Sequence, residues 1–437
     1  MTFETYEKAV SYVESLNRFR IIPGLERIRK VLDLMGNPQK KLKYIHITGT
    51  NGKGSVNTLI ASVLKEAGYN VGTFTSPYLV DFRDRIRYNN IEISKKDFLD
   101  LVNKICQVLD DYNRNSKEAL SLPFFEFTTT LMFLYFAMKK PDYVVLEVGM
   151  GGVWDATNII DSPAIAIITN ISKDHTHLLG ETELEIAKEK AGIIKPGSIC
   201  VTGVIEDTAA RKHIEKTCKD NGAKLVSSKD YEYKLNTSNL DGQIFSFNYK
   251  TKNFKDLKMQ MLGKYQIHNA AVALTALLEA VPNISEQAIR KGLEKAFWGG
   301  RFHIFSRNPL IILDGAHNPA GIQNLREALK ELNIEKPVCL VGVAPNKDVE
   351  KIAEEFLKIS DTFIFTRAQS RGLDKADVKG AFTNLNGNIT FDLAELPESF
   401  EIAKKLAKEK NKTLVVAGSL YLIGELLKIT NSSSQKS

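Results

Sequence analysis

The residues best suited to chemistry lie in one run, Gly49-Thr50-Asn51-Gly52-Lys53-Gly54-Ser55. The β-rich apolar stretch Tyr44 to Thr48 precedes it. After it, Val56, Leu59, Ile60, Val63, Leu64 and Ala67 share one helical face, and Gly68 is a stop signal. Strand, glycine loop and helix together can hold phosphate. Glycine lets backbone N–H groups turn inward, the helix N-terminus adds partial positive charge, and Lys53 supplies a full one. Ser55 is placed to reach a magnesium ion or a phosphate oxygen. The spacing departs from the common G-x-x-x-x-G-K-[ST] loop, because Gly49 stands three residues before Gly52 and Gly54 separates Lys53 from Ser55. A tight turn with an exposed lysine is the plainer reading, and the fitting strand and helix on either side weigh against it.

Further candidates fall at or just past strand ends, where open α/β sheets bind ligands. Ser76 closes the run Asn70 to Pro77, Glu147 ends the apolar run Asp142 to Val148, and Asp174-His175 follow the strand Ala164 to Thr169. A buried glutamate needs a partner or a metal. A hydroxyl, a carboxylate and an imidazole form an oxygen-rich set for magnesium, although magnesium prefers oxygen alone. The plainer alternatives are a salt bridge for Glu147 and a capping or surface role for His175, and spacing alone favours the latter.

The elements that must position these residues alternate between helix and strand. Two helices precede the loop, the second starting near Ile21-Ile22-Pro23-Gly24-Leu25-Glu26-Arg27-Ile28. A hairpin is expected around Asn89-Asn90, between Arg83 to Arg87 and Ile91 to Ile93, then a helix capped by Ser94 and a buried helix from Phe124 to Met138. Tyr231 to Met261 reads as antiparallel strands, and Gln266 to Phe297 as a helix pair. After Trp298-Gly299-Gly300-Arg301, strands are expected at Leu310 to Leu313, Val338 to Val343, Thr362 to Thr366 and Leu414 to Ala417, and Asn431 to Ser437 as a frayed tail. The fold class expected is therefore α/β with two domains, 1–297 and 298–437. The first has a mostly parallel sheet of P-loop type, helices on its faces and a small antiparallel subregion; the second is smaller and Rossmann-like.

Composition narrows the class. At 437 residues, 43% apolar and 25% charged, the chain can bury a full core, and its net charge of +7 is spread without a basic stripe for nucleic acid. Cys106, Cys200, Cys218 and Cys339 form no metal or redox pair, and Met1-Thr2-Phe3-Glu4 does not open a signal peptide. The expectation is a cytoplasmic protein, monomeric, with no membrane span.

Seven motifs occur in order: the glycine run itself, Thr75-Ser76-Pro77, Glu147-Val148-Gly149-Met150-Gly151-Gly152, Asp155-Ala156-Thr157-Asn158, Asp174-His175, Glu189-Lys190-Ala191-Gly192 and Asp314-Gly315-Ala316-His317-Asn318-Pro319. Together they resemble folylpolyglutamate synthase, including bacterial forms that are also dihydrofolate synthases, within the Mur ligase superfamily. The resemblance implies ATP on the loop, its phosphates held by Lys53 and the Gly49 to Ser55 amides. It implies magnesium on Ser76, Glu147 and His175, and a carbamate on Lys190 engaging a second magnesium. Without the resemblance, Lys190 reads as an exposed helical lysine. Arg301 and Asp314 match ATP contacts, Asn269 an adenine contact and His317 a group near the reacting atoms; Arg83 and Ser419 match substrate-glutamate roles. The implied substrates are ATP, L-glutamate and a folate or dihydropteroate. The substrate carboxylate would attack the γ-phosphate, and the amine of glutamate would then attack the acyl phosphate. Val153 and Tyr78 stand where the family often has Arg and His. A cell-wall Mur ligase is the rival within ligases, and a nucleotide-switched binding module the rival outside them. Lys53→Ala should lower ligation by about 10²-fold or more, the scale for losing a charge-stabilising contact, and leave the fold intact; turnover close to wild type would remove this lysine from the mechanism.

Overall fold

The β-rich run before the glycine loop forms a five-residue strand buried along its whole length, and the N-terminal sheet is built outward from it. The structure, a computed structural model, describes residues 1–16, 24–204, 207–386 and 388–434. In chain order the elements are α1 (Tyr6–Ser15), α2 (Glu26–Leu34), β1 (Tyr44–Thr48), α3 (Lys53–Glu66), β2 (Val71–Phe74), β3 (Ile86–Tyr88), β4 (Ile91–Glu92), α4 (Lys95–Asn115), α5 (Phe124–Lys139), β5 (Tyr143–Glu147), β6 (Ile165–Ile168), α6 (Thr176–Leu179), α7 (Glu183–Ala191), β7 (Ile199–Thr202), α8 (Ala209–Asp220) and β8 (Lys224–Val226). Then come β9 (Tyr231–Asn239), β10 (Gly242–Tyr249), β11 (Lys252–Met259), α9 (Lys264–Ala280), α10 (Glu286–Lys295), β12 (His303–Arg307), β13 (Leu310–Asp314), α11 (Pro319–Glu331), β14 (Val338–Val341), α12 (Val349–Leu357), β15 (Thr362–Phe365), α13 (Lys375–Leu385), β16 (Thr390–Leu393), α14 (Glu398–Glu409), β17 (Leu414–Ala417) and α15 (Leu420–Ser434).

Eight strands form the first sheet in the order β4-β3-β2-β5-β1-β6-β7-β8. The run from β2 to β8 is parallel and β3 and β4 are antiparallel additions. The apolar strands Tyr143–Glu147 and Ile165–Ile168 are buried throughout, as parallel strands covered on both faces must be. A second sheet, β12-β13-β17-β14-β15-β16, is parallel except for β12. The expected antiparallel stretch is a sheet of three consecutive strands, β11-β10-β9.

Packing divides the chain into two units. One comprises 1–232, 249–251 and 269–293; the other comprises 233–248, 252–268 and 294–437. The second unit thus begins in sequence before the expected break between 297 and 298. The first unit's main core lies under α1, α2, α4 and α5, where Phe98, Phe127, Phe133 and Phe136 are fully buried; the second unit's core centres on Phe356, Phe363, Phe365 and Phe382.

Several expectations are corrected. The strand expected from Arg83 starts only at Ile86, because Asp81 and Asp84 close Phe82–Arg85 into a capped 3-10 turn. Asn89 and Asn90, both at positive φ, then make the expected tight turn. The edge strands β12 and β16 were not expected; β16 is exposed at all four residues and carries no burial pattern to read. Residues 431–434 continue α15 and are no frayed tail, whereas 435–437 lie outside the described residues, as does the helix start expected at Ile21 to Pro23. Among the described residues no helix is long and apolar enough to cross a membrane.

Glu279 on α9 ties three elements together. It accepts hydrogen bonds from Lys224 Nζ and Tyr249 Oη at 2.5 Å each, and it pairs with Lys250. Burial alone would raise its pKa, but these donors outweigh burial and hold it at about 2. A depressed carboxylate stabilises the fold above its unfolded pKa and loses that contribution as pH falls toward the folded value. Glu279→Gln should cost about 2 kcal/mol near pH 7, the scale for hydrogen bonds to a charged group, and the deficit should shrink below about pH 4.5. Urea unfolding at pH 7, 4 and 3 checks both the size and the direction.

Candidate active site

Register decides which side chains meet at the carboxyl edge of the first sheet. Ile47 of β1 lies opposite Glu147 of β5, and Thr48 lies opposite Ile168 of β6. The chain leaving β1 therefore emerges between the ends of β5 and β6. Gly49 is at φ +152°, and a Cβ there would stand 1.8 Å from Thr169 Oγ1, so only glycine fits. The loop is then stitched to the segment after β6. Thr50 N donates to Asn170 O at 3.1 Å, Asn51 N to Asn170 Oδ1 at 2.9 Å, Thr50 Oγ1 to Ser172 O at 2.9 Å, and Thr169 Oγ1 to Asn51 O at 2.6 Å.

These bonds narrow one expectation. The amides of Thr50 and Asn51 serve the fold and do not point at a ligand, which leaves the amides from Gly52 to Ser55 at the start of α3. The helix cap is Gly52, at φ +84°, and it has no side chain to offer the first-turn N–H groups. Such an end attracts an anion. Lys53 Nζ folds back to Gly49 O at 2.9 Å and Thr50 O at 3.2 Å. Asn269 of α9 meets the same turn, with its Oδ1 2.5 Å from where a Gly52 Cβ would be. Behind the turn, the Asn57 amide donates to Phe74 O and Val145 O at 3.2 and 3.0 Å, fixing α3 to β2 and β5.

Ser76 follows β2, and its N–H donates to Glu147 Oε2 at 3.4 Å. A hydroxyl-bearing residue and a carboxylate 3% exposed thus share the edge beside the loop. This oxygen pair suits magnesium, which binds through one or two carboxylates and keeps much of its water. No group of three or more His, Cys, Asp or Glu poised for a metal occurs among the described residues. His175 stands at the start of α6 with φ +52°, its N–H donating to Asp174 Oδ1 at 2.8 Å.

The glycine run after β5 is closed by Asp155, whose Oδ2 accepts from Met150 N at 3.0 Å and whose Oδ1 accepts from Thr157 N and Oγ1 at 3.0 and 2.5 Å. Because Thr157 donates its proton to Asp155, its oxygen accepts from Nε2–H of His46 at 2.9 Å. Burial holds that histidine neutral by lowering its pKa to about 3. The closed run packs on α7. A Cβ on Gly152 would lie 2.4 Å from Glu189 O and 3.0 Å from Lys190 O.

Lys190 is only 3% exposed, which overturns the surface reading of its helix. Burial lowers its pKa to about 7; Lys53 lowers it further, against the opposing pull of Asp174, Asp155 and Glu189. Near neutral pH a large fraction of this amine is unprotonated and nucleophilic.

The second unit carries the other candidates. Asp314 ends β13, beside Ala417 at the end of β17, and its carboxylate accepts from Phe302 N and Ala316 N at 2.8 and 2.7 Å. Burial raises its pKa, and Arg301 and these two amides oppose the rise. His317 Nδ1–H donates to Gly315 O at 2.8 Å, and the buried Ser419 Oγ accepts from Tyr421 N at 3.1 Å at the start of α15. Within this unit the structure therefore brings Arg301, Asp314, His317 and Ser419 to the ends of adjacent strands.

Arg83 is paired with Asp81 at 3.0 Å and Glu92 at 3.3 Å. The arginine turned inward is Arg85, 5% exposed, with its guanidinium 5.3 Å from the rings of Tyr78 and Phe124. Thr75 N donates to the Arg85 carbonyl at 3.0 Å, so Arg85 stands next to the Ser76 loop. Spacing does not separate Arg83, Arg85 and Arg87; only burial does.

Gly152→Ala should push α7 and displace Lys190. Turnover should fall by about 10²-fold, the scale for a displacement of roughly 1 Å at a reacting centre, and stability by about 1–3 kcal/mol from overpacking. Steady-state rates and urea midpoints of the variant check both.

Residues 47–277 match the Mur ligase middle domain and residues 300–420 match the Mur ligase, glutamate ligase domain. The chain is 35% identical over 443 residues to the dihydrofolate synthase/folylpolyglutamate synthase of Bacillus subtilis, with 98% of this chain and 99% of that protein covered. It superposes on the folylpolyglutamate synthase of Thermotoga maritima with TM-score 0.85 at 34% identity, covering 98% and 97% of the two chains. An FPGS–AMPPCP–folate complex matches at TM-score 0.82 and 29% identity, covering 98% and 100%. With a phosphate-type loop, an oxygen pair at the same sheet edge and a buried lysine behind it, the chain belongs to the folylpolyglutamate synthase/dihydrofolate synthase family of Mur ligases.

Proposed function

We infer that this protein is an ATP-dependent ligase that joins the amine of L-glutamate to the carboxylate of a folate, and that dihydropteroate serves as a second acid substrate. The observation that carries this reading is the meeting, at one sheet edge, of the bare N-terminus of α3 with Lys53 and the Ser76–Glu147 pair. An anion cradle beside an oxygen pair is what ATP with a divalent cation requires.

In this reading Lys53 and the amides from Gly52 to Ser55 grip the β- and γ-phosphates, and Asn269 faces the adenosine portion. Ser76 and Glu147 hold magnesium, with His175 as a further ligand; when bound, the ion neutralises phosphoryl oxygens. Arg85, rather than Arg83, receives a substrate carboxylate, because it is the buried guanidinium next to the Ser76 loop. Arg301 and Asp314 contact ATP, and Ser419 and His317 orient the glutamate. The acid's carboxylate oxygen attacks the γ-phosphorus and ADP leaves. The amine nitrogen of glutamate then attacks the acyl carbon, inorganic phosphate leaves, and the amine gives up a proton. Catalysis rests on charge clamping and alignment, with no covalent protein nucleophile.

We assign Lys190 a carbamate formed from carbon dioxide. An amine with a pKa of about 7 has the unprotonated form this addition needs, and Lys190 is held in place behind the loop by Gly152. The carbamate turns a buried cation into an anion fit for a second magnesium.

A panel of tetrahydrofolate and dihydropteroate with ATP and labelled glutamate tests the function. ADP formation should require both the acid and glutamate; ADP release that ignores them supports a nucleotide switch, and use of a uridine-nucleotide peptide supports a cell-wall ligase. For Lys190, ¹³C-bicarbonate should give a carbamate signal by NMR that grows as pH rises through about 7 and is missing in Lys190→Arg. A wild-type spectrum without that signal would remove the carbamate.

A further inference from the structure

The four cysteines are alike in sequence: none lies in a C-x-x-C pair, and all four are buried free thiols. The fold separates them. Cys106 lies in the large core under α1, α2, α4 and α5, and Cys339 lies in the core of the second unit. Cys200 and Cys218 share a third, small core. Cys200 is held in β7 between Ala166 of β6 and Leu225 of β8. Cys218 stands on the buried face of α8, at helical spacing from Ala210 and Ile214. There the Cys200 thiol donates a hydrogen bond to Cys218 Sγ.

The two thiols are not equivalent. The hydrogen bond from Cys200 holds the Cys218 thiol below its ordinary pKa despite burial; the Arg211 charge helps and Glu215 opposes. The same bond, with burial, pushes the Cys200 thiol up. Arg211 is itself a buried cation, its side chain 3% exposed and paired with Glu215 at 3.0 Å. A thiolate is the reactive form of cysteine, so Cys218 is the attacking sulfur and Cys200 the resolving one.

We propose that Cys200 and Cys218 are a peroxide-sensitive pair that closes reversibly into a disulfide and slows the enzyme when closed. The Cys218 thiolate attacks one peroxide oxygen, the O–O bond breaks, and hydroxide leaves to become water with the proton Cys218 gave up. The Cys200 sulfur then attacks the sulfenic acid on Cys218. The S–S bond forms, the S–O bond breaks, and the Cys200 proton joins the departing hydroxide as a second water. Two thiols are oxidised and one peroxide is reduced; an external dithiol reverses the closure by exchange.

Closure reaches Lys190 through groups packed and bonded in series. The small core also holds Ala187 and Ala191 of α7, which flank Lys190 in the chain, and Ile194 just beyond. Cys218 O accepts from Ala223 N at 2.8 Å, Asn221 Nδ2 donates to Ile194 O at 2.8 Å, and Gly197 N donates to Asn221 O at 3.0 Å. Ile193 N and Ile194 N donate in turn to Lys190 O and Ala191 O at 3.3 and 3.0 Å. Sulfurs joined covalently lie only about 2 Å apart, so closure draws the last turn of α8 toward β7 and pulls this series with it. The effect on turnover rests on the ligase reading; the bond itself does not.

The experiment uses the reduced full-length enzyme with hydrogen peroxide, followed by alkylation and peptide mapping. The peptides that hold Cys200 and Cys218 should become crosslinked, with a mass lower by two hydrogens. Folate- and glutamate-dependent ADP formation should fall about tenfold, a smaller loss than a full 1 Å misplacement brings, and return with dithiothreitol. Cys200→Ala and Cys218→Ala should keep the turnover of the reduced enzyme and lose the response, whereas Cys106→Ala should respond as the wild type does. A map without the crosslink, a crosslink that leaves turnover unchanged, or a loss that persists in Cys218→Ala overturns the switch. If Cys218→Ala is unfolded by circular dichroism, the wild-type crosslink and the recovery with dithiothreitol decide. Failure of the ligase reading looks different: the reduced wild-type enzyme would form no folate- and glutamate-dependent ADP, whatever the peptide map shows.

Discussion

Everything at the first sheet's edge depends on the absence of side-chain volume at Gly49. The strand Tyr44–Thr48 is sandwiched between β5 and β6, and the chain must leave it through a gap that Thr169 already fills. With only a hydrogen at that position, the backbone passes close enough for Asn170 and Ser172 to take up the hydrogen-bonding groups of Thr50 and Asn51. The loop is then rigid before any ligand arrives. Its remaining amides are those at the head of α3, where the helix supplies partial positive charge. Preorganisation of this kind is what a site gripping a transferring phosphoryl group needs, because no reorganisation is left for the moment of reaction.

A second constraint passes through the glycine run after β5. Gly152 rests on the backbone of α7 at a distance that admits no Cβ, and Asp155 locks the far end of the run. This contact sets where Lys190 sits, and burial then sets what Lys190 is. Taken out of water and facing the charge of Lys53, the amine loses much of its preference for the proton despite three nearby carboxylates. Position and protonation state therefore share one cause, the close approach of two backbone segments.

The network around His46 is the quiet counterpart. A neutral histidine, a threonine and a carboxylate run from β1 to the run after β5: His46 donates to Thr157, and Thr157 donates to Asp155. Its role is positional: it ties the strand that feeds the phosphate-type loop to the turn that Asp155 closes.

Much of this was legible in the amino-acid order. The phosphate-type loop, the strands on either side and the acid at the end of β5 are local patterns, and hydrophobic periodicity with glycine placement encodes local patterns well. What spacing could not supply was solvent exposure. Lys190 beside Glu189 has the look of a surface helix until the glycine run covers it, and Arg83, Arg85 and Arg87 are indistinguishable until one of them is buried among aromatic rings. Edge strands such as β16 escaped because an exposed strand carries no alternation of burial. Local covalent order determined the elements and the types of side chain at their ends; only the tertiary structure decided which charges left water, since desolvation depends on segments far apart in the chain.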